Sequence, residues 1–124
     1  SLNCIMAQRL VRRLCESCKV PVSVSPMECE QLGFDSQLIA DRPVYDGKGC
    51  VDCHGLGFRG RHAITEFLPV TDRIKDMILE RRAPSEIRKA ATDEGMSTLR
   101  QAGIEKVLAG DTTMKEVNRA TFVG

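Results

Sequence analysis

The sequence predicts an α+β chain, mostly α: a zinc-ribbon-like tetracysteine module with a short β-hairpin, followed by a small helical bundle. Three observations carry that expectation. Four of the six cysteines form two C-x-x-C pairs, Cys15/Cys18 and Cys50/Cys53, separated by thirty-one residues. A strand-like run follows the second pair. Beyond it, four helical patterns are each opened or closed by recognisable punctuation.

The cysteine pairs come first because they constrain the most. Each C-x-x-C fits a tight knuckle whose two sulfurs converge on one ion, and four thiolates complete a tetrahedral shell. Such a shell leaves zinc no open position for water, so it holds structure and performs no chemistry. Cys15, Cys18, Cys50 and Cys53 are the candidate ligands, and Zn2+ is the favoured ion. Rubredoxin-like iron uses the same set but usually in aromatic-rich, acidic chains; here there are four Phe, one Tyr and no Trp. A thioredoxin-like redox role needs one C-x-x-C, not two. Disulfides belong to secreted chains, and no signal peptide or membrane-length apolar run is present. Cys4 and Cys29 stand outside the pattern and read as buried small apolar residues.

Composition sets limits. At 124 residues the chain is one modest domain or two small modules sharing a metal. Eighteen basic against seventeen acidic residues provide no bulk attraction for nucleic acid or membrane. With 42% hydrophobic residues but only 4% aromatic, the core must be built from Leu, Ile, Val and Met. A structural zinc, worth on the order of 10 kcal/mol in small modules, would then supply much of the first half's stability. Opening on Ser1-Leu2 inside an apolar pattern, the chain reads as a piece of something longer.

The elements follow in order. Leu2, Ile5, Met6, Leu10, Val11 and Leu14 recur at helical spacings, yet metal ribbons feed their first knuckle from a strand, so both readings stand for the stretch to Leu14. Ser25-Pro26-Met27-Glu28 is a helix start, with Ser as N-cap, Pro at the first position and Glu three residues on; Gly33 supplies the stop. With a further turn near Gln37–Ala40, this helix fills the space between the knuckles. His54-Gly55-Leu56-Gly57 permits tight turns beside the metal. From Phe58 to Leu68 the chain reads as strand, ended by Pro69. Thr71, then Pro84-Ser85-Glu86, then Ser97 or Thr98, then the capping box Thr113-x-x-Glu116 open four helices; Gly95 and Gly110 end two of them. The module boundary falls near Pro69.

Several chemistries are missing. The chain has no G-x-x-x-x-G-K-[ST] loop, no G-x-S-x-G and no H-E-x-x-H. His54 and His62 are the only imidazoles; His54 follows a metal cysteine directly and offers a spare ligand, though a place beside the metal cysteines or in solvent is favoured, and His62 is expected on the strand. Arg9, Arg12, Arg13, Lys19, Arg59 and Arg61 make a basic cluster, but apart from Phe58 the aromatics that stack bases are missing. A protein contact or a solvated face is favoured over nucleic acid.

These residues together resemble a known family. Ala7-Gln8-Arg9-Leu10-Val11-Arg12-Arg13-Leu14-Cys15-x-x-Cys18-Lys19 is similar to the entry of the C-terminal metal domain in secretion ATPases. These are the type II secretion ATPase, general secretory pathway protein E, and the relatives that assemble type IV pili. Gly49-Cys50-x-x-Cys53-x-Gly55-x-Gly57-Phe58-Arg59-Gly60-Arg61, Ile64-x-Glu66, Glu94-Gly95-Met96-x-x-Leu99 and Lys106-Val107-Leu108-Ala109-Gly110-x-Thr112-Thr113 are similar to the same proteins. One departure is Glu16, where the family often has Pro after the first cysteine; no ligand is lost.

The resemblance implies a fragment of a hexameric motor. Residues 1–10 would be a stub of the upstream ATPase core, 11–69 the zinc module and 70–124 the helical subdomain. ATP and Mg2+ would be bound only by the full-length parent's core, so this fragment is not expected to be an enzyme. The implied partners are that core, neighbouring subunits of the hexamer and inner-membrane platform proteins, in the cytoplasm at the bacterial inner membrane. No nucleic acid is expected. Two readings of other classes stand beside it: a free-standing zinc ribbon that binds nucleic acid, and a cochaperone-like client-binding module. The second uses Cys50-x-x-Cys53-x-Gly55-x-Gly57 but needs four such units.

Overall fold

The computed structural model describes residues 3–40 and 42–121. Leu2, the first apolar position of the leading pattern, lies outside them, as do residues 122–124 of the helical segment. Strand β1 (Asn3–Leu14) pairs antiparallel with β4 (Phe58–Pro69) as one two-stranded ribbon. Between them, β2 (Lys19–Val22) pairs with β3 (Val44–Gly47) in a second, smaller sheet. Helix α1 (Pro26–Leu32) and a 3-10 turn (Ser36–Ile39) connect β2 to β3. Four helices follow β4: α2 (Asp72–Leu79), α3 (Pro84–Asp93), α4 (Leu99–Leu108) and α5 (Met114–Thr121).

The leading segment is therefore extended, not helical. Register shifts between Ile5 and Ala7 and between Arg12 and Leu14 interrupt strict alternation along β1. Bulges of this kind re-aim side chains, so the apolar positions recur at intervals that a helix would also give. The expected short hairpin is a ribbon of two 12-residue strands. The small β2/β3 sheet was absent from the expectation of helix and turn between the knuckles. Its strands have four residues each, too few for periodicity, and Pro21 sits inside the first.

Helix starts agree well with the punctuation. Ser25 accepts from the Glu28 N–H while the Glu28 carboxylate accepts from the Ser25 N–H, and Gly33 ends α1 in the left-handed region at φ 72°. Thr71 caps α2. Thr98, not Ser97, opens α4, with Gln101 closing the box. Thr113 accepts from the Glu116 N–H as expected, but the Glu116 carboxylate does not close a box on it. That carboxylate is committed elsewhere.

The C-terminal helices divide between two cores instead of sharing one bundle core. Ile74, Ala90, Ala91 and Met96 of α2, α3 and the loop after α3 pack on Leu68 at the end of β4. Val107, Met114 and Val117 of α4 and α5 pack on Cys29, Phe34 and Val44, which lie between the knuckles. Apolar residues on both sides of Pro69 thus meet in each core. Cys29 is buried as expected; Cys4 is exposed, contrary to its reading as a core residue. Among the described residues no helix is long and apolar enough to cross a membrane.

Polar stitches join α4 and α5 to the end of β1. Leu14 donates its N–H to the Asp111 carbonyl at 2.8 Å, and the buried Thr112 hydroxyl donates to the Arg12 carbonyl at 2.7 Å. Buried Glu116 accepts from the Arg12 N–H at 2.9 Å, the Arg12 guanidinium at 2.8 Å and Arg119 at 2.8 Å. The α4–α5 loop and Glu116 thereby satisfy backbone groups that β4 does not reach. Glu66 does the same for the other helices, accepting from Arg88 at 2.8 Å and the Leu99 N–H at 3.2 Å.

Burial opposes the charge of Glu116, but hydrogen bonds from Arg119 and Arg12 outweigh it and hold its carboxyl at about 2. A carboxyl held below its unfolded value of 4.5 stabilises the fold fully above that pH and loses the effect as pH falls toward 2. Glu116→Gln should lower stability near pH 7 by about 2 kcal/mol, the scale of a hydrogen bond to a charged group. In urea melts of the two proteins, the gap should narrow from pH 5 toward pH 2.5. A gap that does not change with pH would remove the electrostatic role.

Candidate metal centre

The candidate ligands sit on two loops at one end of the β1/β4 ribbon. Cys15 and Cys18 follow β1 directly; Cys50 and Cys53 lie in the turns that lead into β4. In the first knuckle, the N–H groups of Cys18 and Lys19 both return to the Cys15 carbonyl, closing a tight turn. In the second, His54 donates to Val51, Gly55 to Cys50 and Leu56 to Cys53. The Ser17 hydroxyl reaches Asp52 at 2.7 Å and ties one knuckle to the other.

Folding brings the four predicted residues together. Their sulfurs all lie within 4.8 Å of one another, with Cys15 to Cys50 at 3.7 Å, Cys50 to Cys53 at 3.7 Å and Cys18 to Cys53 at 3.8 Å. A tetrahedral thiolate site with bonds near 2.3 Å sets its sulfurs about 3.8 Å apart. The donor set therefore fits a tetrahedral metal ion of that size. Cys15, Cys18 and Cys53 are buried and Cys50 is half-buried. His54 is exposed and does not join the cluster. His62 lies on β4, as expected for the strand.

The surroundings are graded toward negative sulfur. Cys53 receives N–H groups from both Cys50 and Gly57 at 3.2 Å. Burial raises its thiol, yet these donors outweigh burial and bring it down to about 6. At Cys18 burial outweighs the one backbone hydrogen bond, from Gly49, that opposes it, and the thiol is pushed up to about 12. A bound cation reverses this logic, because it stabilises every thiolate it touches and releases their protons.

Gly57 is the residue whose part in the site spacing alone does not reveal. Its N–H donates to Cys53, its carbonyl accepts from the Cys15 N–H at 3.0 Å, and its φ is 82°. A side chain on Gly47 would come within 2.2 Å of that carbonyl. The two glycines let the second sheet and the second knuckle meet backbone to backbone. The G-x-G after Cys53 signalled a tight turn but not this partner. Ser17, Asp52 and Asp111, which brace the same end of the ribbon, carried no signal of their own.

The conformation of Gly57 makes a measurable demand. An Ala side chain there costs roughly 1–2 kcal/mol for the left-handed backbone, and its Cβ would come within 2.8 Å of the Gly47 carbonyl. Gly57→Ala should therefore lower Tm by roughly 4 °C or more and weaken metal retention against a chromophoric chelator. Unchanged melting and retention would show that the knuckle does not need this backbone.

Comparison with known proteins identifies the lineage. A family model described as Type II/IV secretion system protein matches residues 1–119. The type IV pilus assembly ATPase PilB of Thermus thermophilus is 43% identical over 118 residues, 95% of this chain and 13% of that protein. PilB of Myxococcus xanthus is 40% identical over 118 residues, 94% of this chain and 21% of that protein. Type II secretion system protein E of Pectobacterium carotovorum is 40% identical over 122 residues, 98% of this chain and 23% of that protein. The chain thus spans less than a quarter of the length of these relatives. With a family match over nearly its whole length and two paired C-x-x-C knuckles in place, the chain belongs to the type II/IV secretion system protein family.

Proposed function

We propose that this chain is the zinc-stapled C-terminal part of a hexameric ATPase that drives protein secretion or pilus assembly. The observation that carries the reading is the convergence of Cys15, Cys18, Cys50 and Cys53 into one closed cluster of metal-site dimensions. Zinc is the ion chosen here, because four thiolates at tetrahedral spacing suit it and leave it no open position. It supplies cross-linking and no reaction. The relatives' names as ATPases, set beside the missing Walker loop, support an arrangement in which ATP and Mg2+ are bound by the parent's upstream core.

The chain's own residues serve as a rigid transmission body in this reading. Residues 11–69 form the zinc-ribbon-like module and 70–124 the helical subdomain, with 1–10 leaving the core. Any load on β1 passes through Leu14 into Cys15, and through Arg12 into Glu116 and α5. The module would hand movements of ATP turnover to neighbouring subunits and to inner-membrane platform proteins, on the cytoplasmic face of that membrane.

The test uses the full-length protein. Elemental analysis should find one zinc per chain, falling to a small fraction in Cys53→Ala, which leaves three thiolates. The same variant should lose export or piliation in cells while its amount stays within about twofold of wild type. Normal export by a zinc-free variant would overturn the coupling role, and iron in the site would overturn the choice of ion.

A further inference from the structure

The two knuckles lie side by side and in step. Cys15 faces Cys50, Ser17 faces Asp52 and Cys18 faces Cys53, each pair thirty-five residues apart in the chain. The Ser17 hydroxyl, donating to Asp52 at 2.7 Å, pins that register from beside the sulfur cluster. Within the cluster the four thiols are unequally sheltered. Cys15 is 1% exposed, Cys53 2% and Cys18 9%, whereas Cys50 is only partly buried. Its neighbour Val51 is 90% exposed, so this knuckle turns its outer side to solvent. Cys50 is therefore the member of the quartet that a small solute can approach.

We propose that Cys50 is a site of oxidation by hydroperoxides, resolved by Cys15 into a disulfide that replaces the metal as the link between the knuckles. The inference rests on the metal reading above and adds a reaction of the thiols themselves.

In the first step the Cys50 sulfur attacks the terminal peroxide oxygen. An S–O bond forms, the O–O bond breaks and the departing oxygen takes a proton, leaving Cys50 as a sulfenic acid. The sulfur loses two electrons and the hydroperoxide gains them. In the second step a neighbouring thiolate attacks the Cys50 sulfur, an S–S bond forms, and the leaving hydroxide takes a proton to become water. Two thiolates, one hydroperoxide and two protons thus give one disulfide, one alcohol (water, for hydrogen peroxide) and one water. Cys18 and Cys53 then remain as the last two thiolates, too few to complete the shell.

Two thiols stand close enough to resolve Cys50. Cys15 and Cys53 are each 3.7 Å from it, sulfur to sulfur. The Cys53 sulfur already accepts the N–H groups of Cys50 and Gly57, both at 3.2 Å. Those bonds draw on its lone pairs and weaken its attack. Among the described residues, no N–H reaches the Cys15 sulfur. The choice of Cys15 has a structural consequence. A Cys15–Cys50 disulfide keeps the knuckles joined without metal, whereas a disulfide inside either C-x-x-C pair would free one knuckle from the other. Cys4 supplies an internal control, because it is exposed but belongs to no cluster.

The test uses the full-length protein, reduced, zinc-loaded and freed of thiol buffer, with hydrogen peroxide as the oxidant. A chromophoric chelator follows zinc release, and free thiols are alkylated before digestion without reduction. One zinc should leave for each Cys15–Cys50 disulfide found by mass spectrometry, and dithiothreitol with added zinc should reverse both. With dimedone present, the sulfenic acid adduct should form on Cys50 about tenfold more than on Cys15, Cys18 or Cys53. Cys4→Ser should leave zinc release and the disulfide unchanged. A disulfide within either C-x-x-C pair overturns the proposal, as does an adduct chiefly on a buried cysteine. So does zinc retained at a peroxide concentration that fully oxidises Cys4. A protein purified without zinc would defeat the metal reading instead, and in it the disulfide and adduct patterns alone decide this proposal.

Discussion

Four thiols within one another's reach at the end of a two-stranded ribbon are the constraint on which the remaining architecture depends. A metal ion held by all four would close a loop of thirty-one residues between Cys18 and Cys50. A cross-link of that span is worth about 4 kcal/mol if it acts through the entropy of the unfolded chain. The apolar residues of β2, α1 and β3 also pack on α4 and α5.

The helices return the support. A two-stranded ribbon alone is marginal in water, and its last residues before Cys15 carry backbone groups that β4 does not satisfy. The Asp111 carbonyl, the Thr112 hydroxyl and the Glu116 carboxylate supply those partners. Glu116 is a case of divided use: its position suits a capping box for α5, but the buried pairing with Arg12 takes the carboxylate. Hydrogen bonds to charged partners are the stronger ones, and a buried carboxylate without them would be costly. Knuckle, ribbon and terminal helices consequently form a closed circuit of contacts.

The points where expectation and structure part have physical causes. Helix starts were legible because each depends on a few neighbouring residues: Ser25 with Glu28, Thr71 with Ile74, Thr98 with Gln101. The path of β1 was not legible, because bulges disguise a strand's alternation and its state is decided by a partner some fifty residues away. The β2/β3 sheet is shorter than any period that could announce it. Cys4 was misplaced because a cysteine's burial depends on what covers it, and among the described residues it is exposed.

By itself, the amino-acid sequence determined which four cysteines would meet, the family and most helix boundaries, since these rest on residue type and close spacing. Tertiary structure alone decided which loop braces which strand, how Gly47 and Gly57 bring two backbones together beside the sulfurs, and which of the four cysteines stays half-buried. Those outcomes depend on contacts between residues far apart in the chain, whose energies appear only when the fold has closed.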